Sequence, residues 1–312
     1  MEKIIPNYGI THSGIFHADD IFSTAFLQSI NEKFVYTRTL NLPKDITEDT
    51  IVYDIGLGKF DHHQKDNEIR DNGIPYAAFG KLWREYGSYF QIVENGKKRF
   101  LTEQEVDTFD KMFVQEIDKT DNLGTKNELS SALSAFNPTN SLLKQFPETE
   151  NERVKMAVDF AKNVLVFEIE KVPEIVKQRN ITTEAIKNNI KDGVLVLPEF
   201  VSVFSKTINQ LLQDNNVDFI VYPSIRGGCN MQQVPKNPPE TEGRVPFPKE
   251  WLGQPKEKLP EHVTFCHNSN WLLAIDNDNI EIAGEIARRL ADISRDIERN
   301  ERFEKINSDL DL

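Results

Sequence analysis

Four of the six histidines fall in two short stretches, and each stretch also carries aspartates. The first, THSGIFHADDIF, holds His12, His17, Asp19 and Asp20; the second, FDHHQ, holds Asp61, His62 and His63. Imidazole suits the borderline transition metals, and carboxylate suits manganese and magnesium. A mixture of the two without thiolate points to manganese, with magnesium, cobalt, iron or zinc as alternatives. Asp54, which closes the run TIVYD, and Asp118 and Asp121, in EIDKTDN, are candidates to complete the set. That is more carboxylate than one ion requires. Two ions sharing a carboxylate could polarise a phosphoryl group and lower the pKa of an attacking water. Hydrolysis of a phosphate ester or anhydride follows, and amide hydrolysis stays open on the same residues. Simpler roles compete residue by residue: Asp19 or Asp20 as a helix cap, Asp54 as a strand-end turn residue.

Secondary structure must bring these residues together. KIIPNYGIT reads as a strand that delivers His12 at its end. From Asp20 onward, DIFSTAFLQSI spaces Ile21, Phe22, Ala25, Phe26 and Ile30 as one helix face. FVYTRTL and TIVYDIG are β-branched and aromatic and read as strands. GIPYAAFGKLWREYG predicts a helix with Ala78, Leu82 and Tyr86 inward. This order predicts an α/β layer with a largely parallel sheet, where active side chains tend to gather at the carboxyl ends of strands. Helical stretches follow over about 102–122 and 151–190. GVLVLPEF, DFIVYPS and HVTFCH read as a second set of strands, with a long Pro-rich loop before the last. The final helix, IEIAGEIARRLADISRDIE, offers Ile280, Ile282, Ile286 and Leu290 as its apolar face. The expected division is a catalytic domain over 1–145, a helical connector over 146–190 and a smaller α/β domain over 191–312.

With 312 residues, 38% of them hydrophobic, the chain has material for one large domain or two ordinary ones. A formal net charge of -13 argues against a broad duplex-DNA footprint, which needs an excess of Lys and Arg. A short contact with a nucleotide or oligonucleotide is compatible with it. No stretch approaches ~18 apolar residues without a charge, so no membrane span is expected. MEKIIPNYG has the character of neither a secretory signal nor a transit peptide. Cys229 and Cys266 form no disulfide framework, and a cytoplasmic location is the expectation.

HSGIFHADD, VYDIG, FDHHQ, EIDKTDN and FNPTN occur in that order, followed by CNMQQVPK, GRVPFPKEWLG and FCHNSNW. The set resembles the protein family of melanocyte proliferating gene one, a branch of the DHH phosphoesterase superfamily, through nearly the whole chain. The resemblance implies a DHH phosphoesterase-like fold, with a mostly parallel N-terminal sheet and a C-terminal substrate-binding domain. It also implies a metal-dependent phosphoesterase, and in eukaryotic members a 3'-to-5' exonuclease on RNA; with the donor set above, two manganese ions are the expected cofactor. On the superfamily pattern His12, His17 and Asp19 would bind metal, with His17 standing where the first aspartate is usual. Asp54 would be shared between the ions, His62 would bind metal, and His63 would orient the leaving group or the phosphate. Asp118 or Asp121 would supply the last ligand, with Asp118 preferred. Arg244 and His267 would hold the substrate, and Trp271 would stack on a base, a contact worth about 1–3 kcal/mol. HNSNWLLAID departs from the family's His-Ala-Ser-Gly-Phe-Ile-Gly-Gly and lacks the glycines that let backbone N–H groups approach a phosphate. Asp20 stands where glutamate is usual. The altered motif makes a catalytically weak metal- or nucleotide-binding protein the competing expectation.

Overall fold

The computed structural model describes residues 5–310, with side chains through Asn300. It divides into two compact units, one ending at Pro173 and the other beginning at Glu174. The first unit runs β1 (Tyr8–His12), α1 (Ala18–Ile30), β2 (Val35–Thr39), β3 (Thr50–Val52), α2 (Ala78–Tyr86), β4 (Gln91–Glu94) and β5 (Lys97–Phe100). Five helices follow: α3 (Glu103–Phe109), α4 (Gln115–Leu123), α5 (Glu128–Ser134), α6 (Asn140–Gln145) and α7 (Thr149–Glu170). Lys3 and Ile4, expected to open the first strand, lie outside the described residues.

The strands β2-β1-β3 form a parallel sheet in that order, so the carboxyl ends of β1 and β3 emerge together. α1 is the central helix of this unit. It is buried continuously from Ala18 to Leu27 and packs on α2, α4, α5 and α7. It is buried all round although Asp19, Asp20, Ser23 and Thr24 are polar, and buried polar groups need partners. Phe26, Trp83 and Phe109 anchor it, with ring centroids 5.2 Å and 4.7 Å apart in succession. β4 and β5 make a hairpin whose Asn95-Gly96 turn has both residues at positive φ, the backbone a two-residue hairpin requires.

The helical stretch around 102–122 is not uniform. α3 and α4 are joined by a π-helical turn at Asp110–Val114, a feature found disproportionately at functional sites. The helix expected over 151–190 is likewise two helices. α7 stops at Glu170 and α8 (Val172–Asn189) restarts with Pro173 in its first turn. Proline lacks the N–H needed to continue one helix but suits the start of the next.

The second unit continues from α8 through β6 (Ile190–Lys191), β7 (Val194–Val196), α9 (Lys206–Asp214), β8 (Phe219–Pro223), β9 (Cys229–Gln233), β10 (Val263–Cys266), β11 (Leu272–Ile275) and α10 (Ile280–Leu310). Its six strands lie in the order β10-β11-β9-β8-β7-β6, and β7 with β8 is the parallel pair. Patterning does not announce β9, a polar CNMQQ, or the short β6 and β11. The Pro-rich segment after β9 is more than a solvated loop, since Val245, Phe247 and Trp251 are buried in the core of this unit. The inward face of α10 also differs from expectation. Ala283, Ile286, Ala287, Leu290 and Ala291 are buried, and Ile282 is exposed. Cys229 and Cys266 are free and buried. Among the described residues no helix is long and apolar enough to cross a membrane.

One close approach fixes α2 against α4. The Gly80 N–H donates to Asp118 Oδ1 at 3.0 Å, and a Cβ at position 80 would collide with Asp118 Oδ2. Replacing a helical glycine by alanine ordinarily stabilises by about 0.5–1 kcal/mol. Here steric conflict with a pinned carboxylate reverses the sign. Gly80→Ala is expected to destabilise the protein by about 1–3 kcal/mol, measured as a lower midpoint in denaturant; an unchanged or raised midpoint would contradict this packing.

Candidate metal centre

Asp54 stands two residues beyond β3 with φ 55°. Aspartate is among the few non-glycine residues that enter this left-handed region readily. Asp54 Oδ2 lies 3.1 Å from His12 Nε2, at the end of β1, and Oδ1 lies 3.1 Å from His62 Nε2. Each imidazole has further acidic neighbours. Asp20 Oδ2 is 3.8 Å from His12 Nε2, while Asp121 Oδ2 and Asp19 Oδ2 are 3.0 Å and 4.0 Å from His62 Nε2.

The supports come from helix ends and from one arginine. Asp19 accepts the N–H groups of Ala78 and Phe79 at 2.9 Å and 2.8 Å. It therefore caps α2 by accepting two of the backbone N–H groups that a helix leaves free at its start. Asp20 accepts the His17 N–H at 2.7 Å and faces Arg38 Nη2 at 3.3 Å. Arg38 Nε also donates to the His12 carbonyl at 2.9 Å. In FDHHQ, the buried Asp61 accepts from Leu57 N at 2.6 Å and from His63 N and Nδ1 at 3.1 Å and 2.7 Å. The buried Lys81 donates to the Asp61 carbonyl at 2.6 Å.

Three groups of ligand atoms result, each with its members within 4.8 Å of one another: His12–Asp20–Asp54, Asp19–His62–Asp121 and Asp54–His62–His63. Each could coordinate a divalent ion. Asp54 Oδ1 and His62 Nε2 are buried without a partner of hydrogen-bonding geometry, so their 3.1 Å approach is a charge contact. Asp54 approaches both imidazoles and Asp121 approaches His62 at 3.0–3.1 Å, while Asp20 and Asp19 stand farther from them at 3.8 Å and 4.0 Å. The donor set of imidazole and carboxylate, without thiolate, fits a divalent ion.

The structure thus brings together His12, Asp19, Asp54, His62 and Asp121. His17 stays outside the three groups. It is exposed at the cap of α1, its ring centroid 6.1 Å from that of His12. Asp118 is turned away toward Arg70 Nη2 at 2.7 Å and the Gly80 N–H. Asp20, weighed from sequence as a helix cap, makes that cap contact with the His17 N–H and also enters the His12 group; α1 starts at Ala18 and turns it inward. His63 is 58% exposed along its side chain, with Nδ1 occupied by Asp61. A cavity of about 540 Å³ opens here, lined in part by His17, His62, His63, Asp121 and Asn122, within the range of small-ligand sites. In the second unit, Arg244 Nη1 donates to the Gln213 carbonyl at 3.1 Å and Nε faces Asp218 at 3.4 Å. His267 Nδ1 accepts the Ser269 N–H at 3.0 Å, and its ring lies 5.2 Å from that of Trp271.

Burial and crowding set the charges. Burial among Asp54, Asp121 and Asp118 pushes Asp19 well above the usual carboxylate range. Burial lifts Asp20 to about 7 against the pull of Arg38 and His12. Burial would also raise Asp54, but His12 and His62 hold it at about 2. Burial opposes charge on the imidazoles, yet Asp54 and Asp20 raise His12 to about 9. Asp121 and Asp54 raise His62 to about 11. Protons therefore occupy nitrogens that a cation would take, and uptake must displace them. Mn2+ affinity is expected to rise between pH 6 and pH 9, with proton release measurable by calorimetry in buffers of different ionisation enthalpy; a flat profile would contradict this electrostatics. The stability sign is opposite without metal. The value for His12 is raised, so its contribution is complete below about 6.5 and is lost as pH rises through about 9.

Comparison with known proteins adds an independent line. The MYG1 exonuclease family, described as Uncharacterised protein family (UPF0160), matches residues 9–289. MYG1 exonuclease of Mus musculus is 25% identical over 309 residues, covering 84% of this chain and 79% of its own. The MYG1 protein of Schizosaccharomyces pombe is 24% identical, covering 90% and 96%. The MYG1 protein of Chlamydia trachomatis is 24% identical, covering 88% and 93%. A solved structure of RecJ with Mg2+ from Thermus thermophilus is 10% identical, with a TM-score of 0.28 over 92% of this chain and 49% of that one. That superposition is too loose to establish a common fold. The family match extends from β1 into α10 and takes in every residue of the centre, and the chain belongs to the MYG1 family.

Proposed function

We propose that the chain is a metal-dependent phosphodiesterase of DHH phosphoesterase-like architecture, acting as a 3'-to-5' exonuclease on RNA or short oligonucleotides. The observation that carries the reading is the Asp54 carboxylate, whose two oxygens each lie 3.1 Å from an imidazole with acidic neighbours of its own. A carboxylate so placed is suited to being shared by two cations. His12, Asp20 and Asp54 would hold one, and Asp19, Asp54, His62 and Asp121 the other, with manganese the ion these donors suit best. When bound, such ions polarise phosphoryl oxygens and lower the pKa of water.

The chain's own residues supply the rest. Asp61 holds Nδ1 of His63 and leaves Nε2 of that exposed ring for a phosphate oxygen or the leaving group. Asp118 serves as an anchor between α2 and α4. In the second unit Arg244 would pair with a substrate phosphate, His267 would donate its Nε2–H to a phosphate oxygen, and Trp271 would offer a face for a base. The mammalian relatives carry exonuclease in their names, which supports the nucleic-acid direction of the reading.

The test is digestion of 5'-labelled single-stranded RNA by the purified protein with added Mn2+. A ladder shortening from the 3' end, with release of mononucleotides, is expected. Loss of a residue that merely supports a ligand costs about 10–100-fold, so Asp54→Ala is expected to lose at least about 100-fold in rate. Ion uptake with no nucleotide release would favour a binding protein instead. His63→Gln is expected to keep its metal content while kcat falls by about 100-fold or more, the scale of a lost general acid. Full activity in that variant would remove His63 from the reaction.

A further inference from the structure

The helix that supplies Asp121 presents three polar residues on one side. Asp118, Asp121 and Asn122 stand at i, i+3 and i+4 of α4 and share a face. Asp118 ties the helix to Arg70 and Gly80, and Asp121 reaches His62. The function proposed above leaves Asn122 without a role.

We propose that Asn122 is a positioning residue that fixes the His62 ring as a metal-binding imidazole, an inference that rests on the metal centre proposed above. The orientation of its carboxamide follows from its two partners. Asn122 Nδ2 donates to the Asp118 carbonyl at 2.9 Å, and a carbonyl oxygen only accepts. The other end of the amide, Oδ1, therefore faces His62 Nδ1, at 3.1 Å. Oδ1 cannot donate, so Nδ1 must carry the hydrogen. Nε2 is left as the coordinating nitrogen, 3.1 Å from Asp54 Oδ1 and 3.0 Å from Asp121 Oδ2. Ligating histidines characteristically give their other N–H to a carbonyl or carboxylate, which sets both tautomer and ring angle.

The support continues behind the amide. The Asp118 carbonyl is held in place because its side chain is clamped by Arg70 Nη2 at 2.7 Å and the Gly80 N–H at 3.0 Å. A line of contacts thus runs from α2 through Asp118 and Asn122 to His62. Asn122 touches no ion in this arrangement; it acts through the imidazole.

Two substitutions separate orientation of the ring from support of the helix. Asn122→Ala removes both hydrogen bonds. Asn122→Asp keeps an acceptor for His62 Nδ1 but loses the donor to the Asp118 carbonyl. Mn2+ affinity of the full chain, measured by equilibrium dialysis with metal analysis, is expected to fall about 10–100-fold in Asn122→Ala and to stay at or above the wild-type value in Asn122→Asp. Equal loss in both variants would overturn the inference, because the tie to Asp118 would then be what matters. Unchanged affinity in Asn122→Ala would also overturn it, while leaving the metal centre intact. Failure of the wild-type protein to take up Mn2+ would overturn the metal centre itself and the inference with it.

Discussion

Asp54 presents one carboxylate to two imidazoles, and much of the first unit serves to keep it there. Its backbone enters the left-handed region just past β3, which redirects the side chain across the sheet end toward β1. Parallel pairing of β1 with β3 brings His12 alongside, and the loop that closes back through Phe60 delivers His62. A strand slipped by one residue would turn its side chains to the opposite face. Strand register and site geometry are therefore one constraint.

The same place concentrates charge that burial would normally forbid. Asp19, Asp20, Asp54 and Asp118 are all buried, and an unpaired buried charge is costly. The fold offsets this with backbone N–H groups at the start of α2, with Arg38 and Arg70, and with imidazoles that hold protons. Cations bound among these carboxylates would supply positive charge in place of those protons. Asp19 shows how closely folding and binding are joined, since one carboxylate both caps a helix and faces His62.

Much of this was legible in the amino-acid order, and the exceptions have physical causes. His12 and Asp54 can be read because β-branched runs mark their strands and reactive side chains collect at strand ends; His62 is marked instead by its place in FDHHQ, beside Asp61 and His63. The choice between Asp118 and Asp121 cannot be read, because both lie on one helix face and Gly80 decides which finds a backbone partner. Asp20 caps α1 as expected and also enters the His12 group, which local pattern does not show, because it depends on where α1 begins. A helix starting at Ala18 leaves His17 at the cap and turns Asp20 inward. In the second unit β9 hides in a run of amides, and an unpatterned segment still contributes Phe247 and Trp251 to a core. Tertiary contact supplies there what local periodicity does not show.

The π-helical turn at Asp110–Val114 absorbs a residue before α4 begins. A π turn fits one residue more than an α turn into about one rotation, so the helix beyond it keeps its phase. Deleting a single residue there would make the segment a regular α-helix and leave Asp118, Asp121 and Asn122 on the same side of it. The same deletion a turn later, between Val114 and Asp118, would rotate all three by about 100°. Homologous chains can therefore differ by one residue across this turn and still aim EIDKTDN at His62.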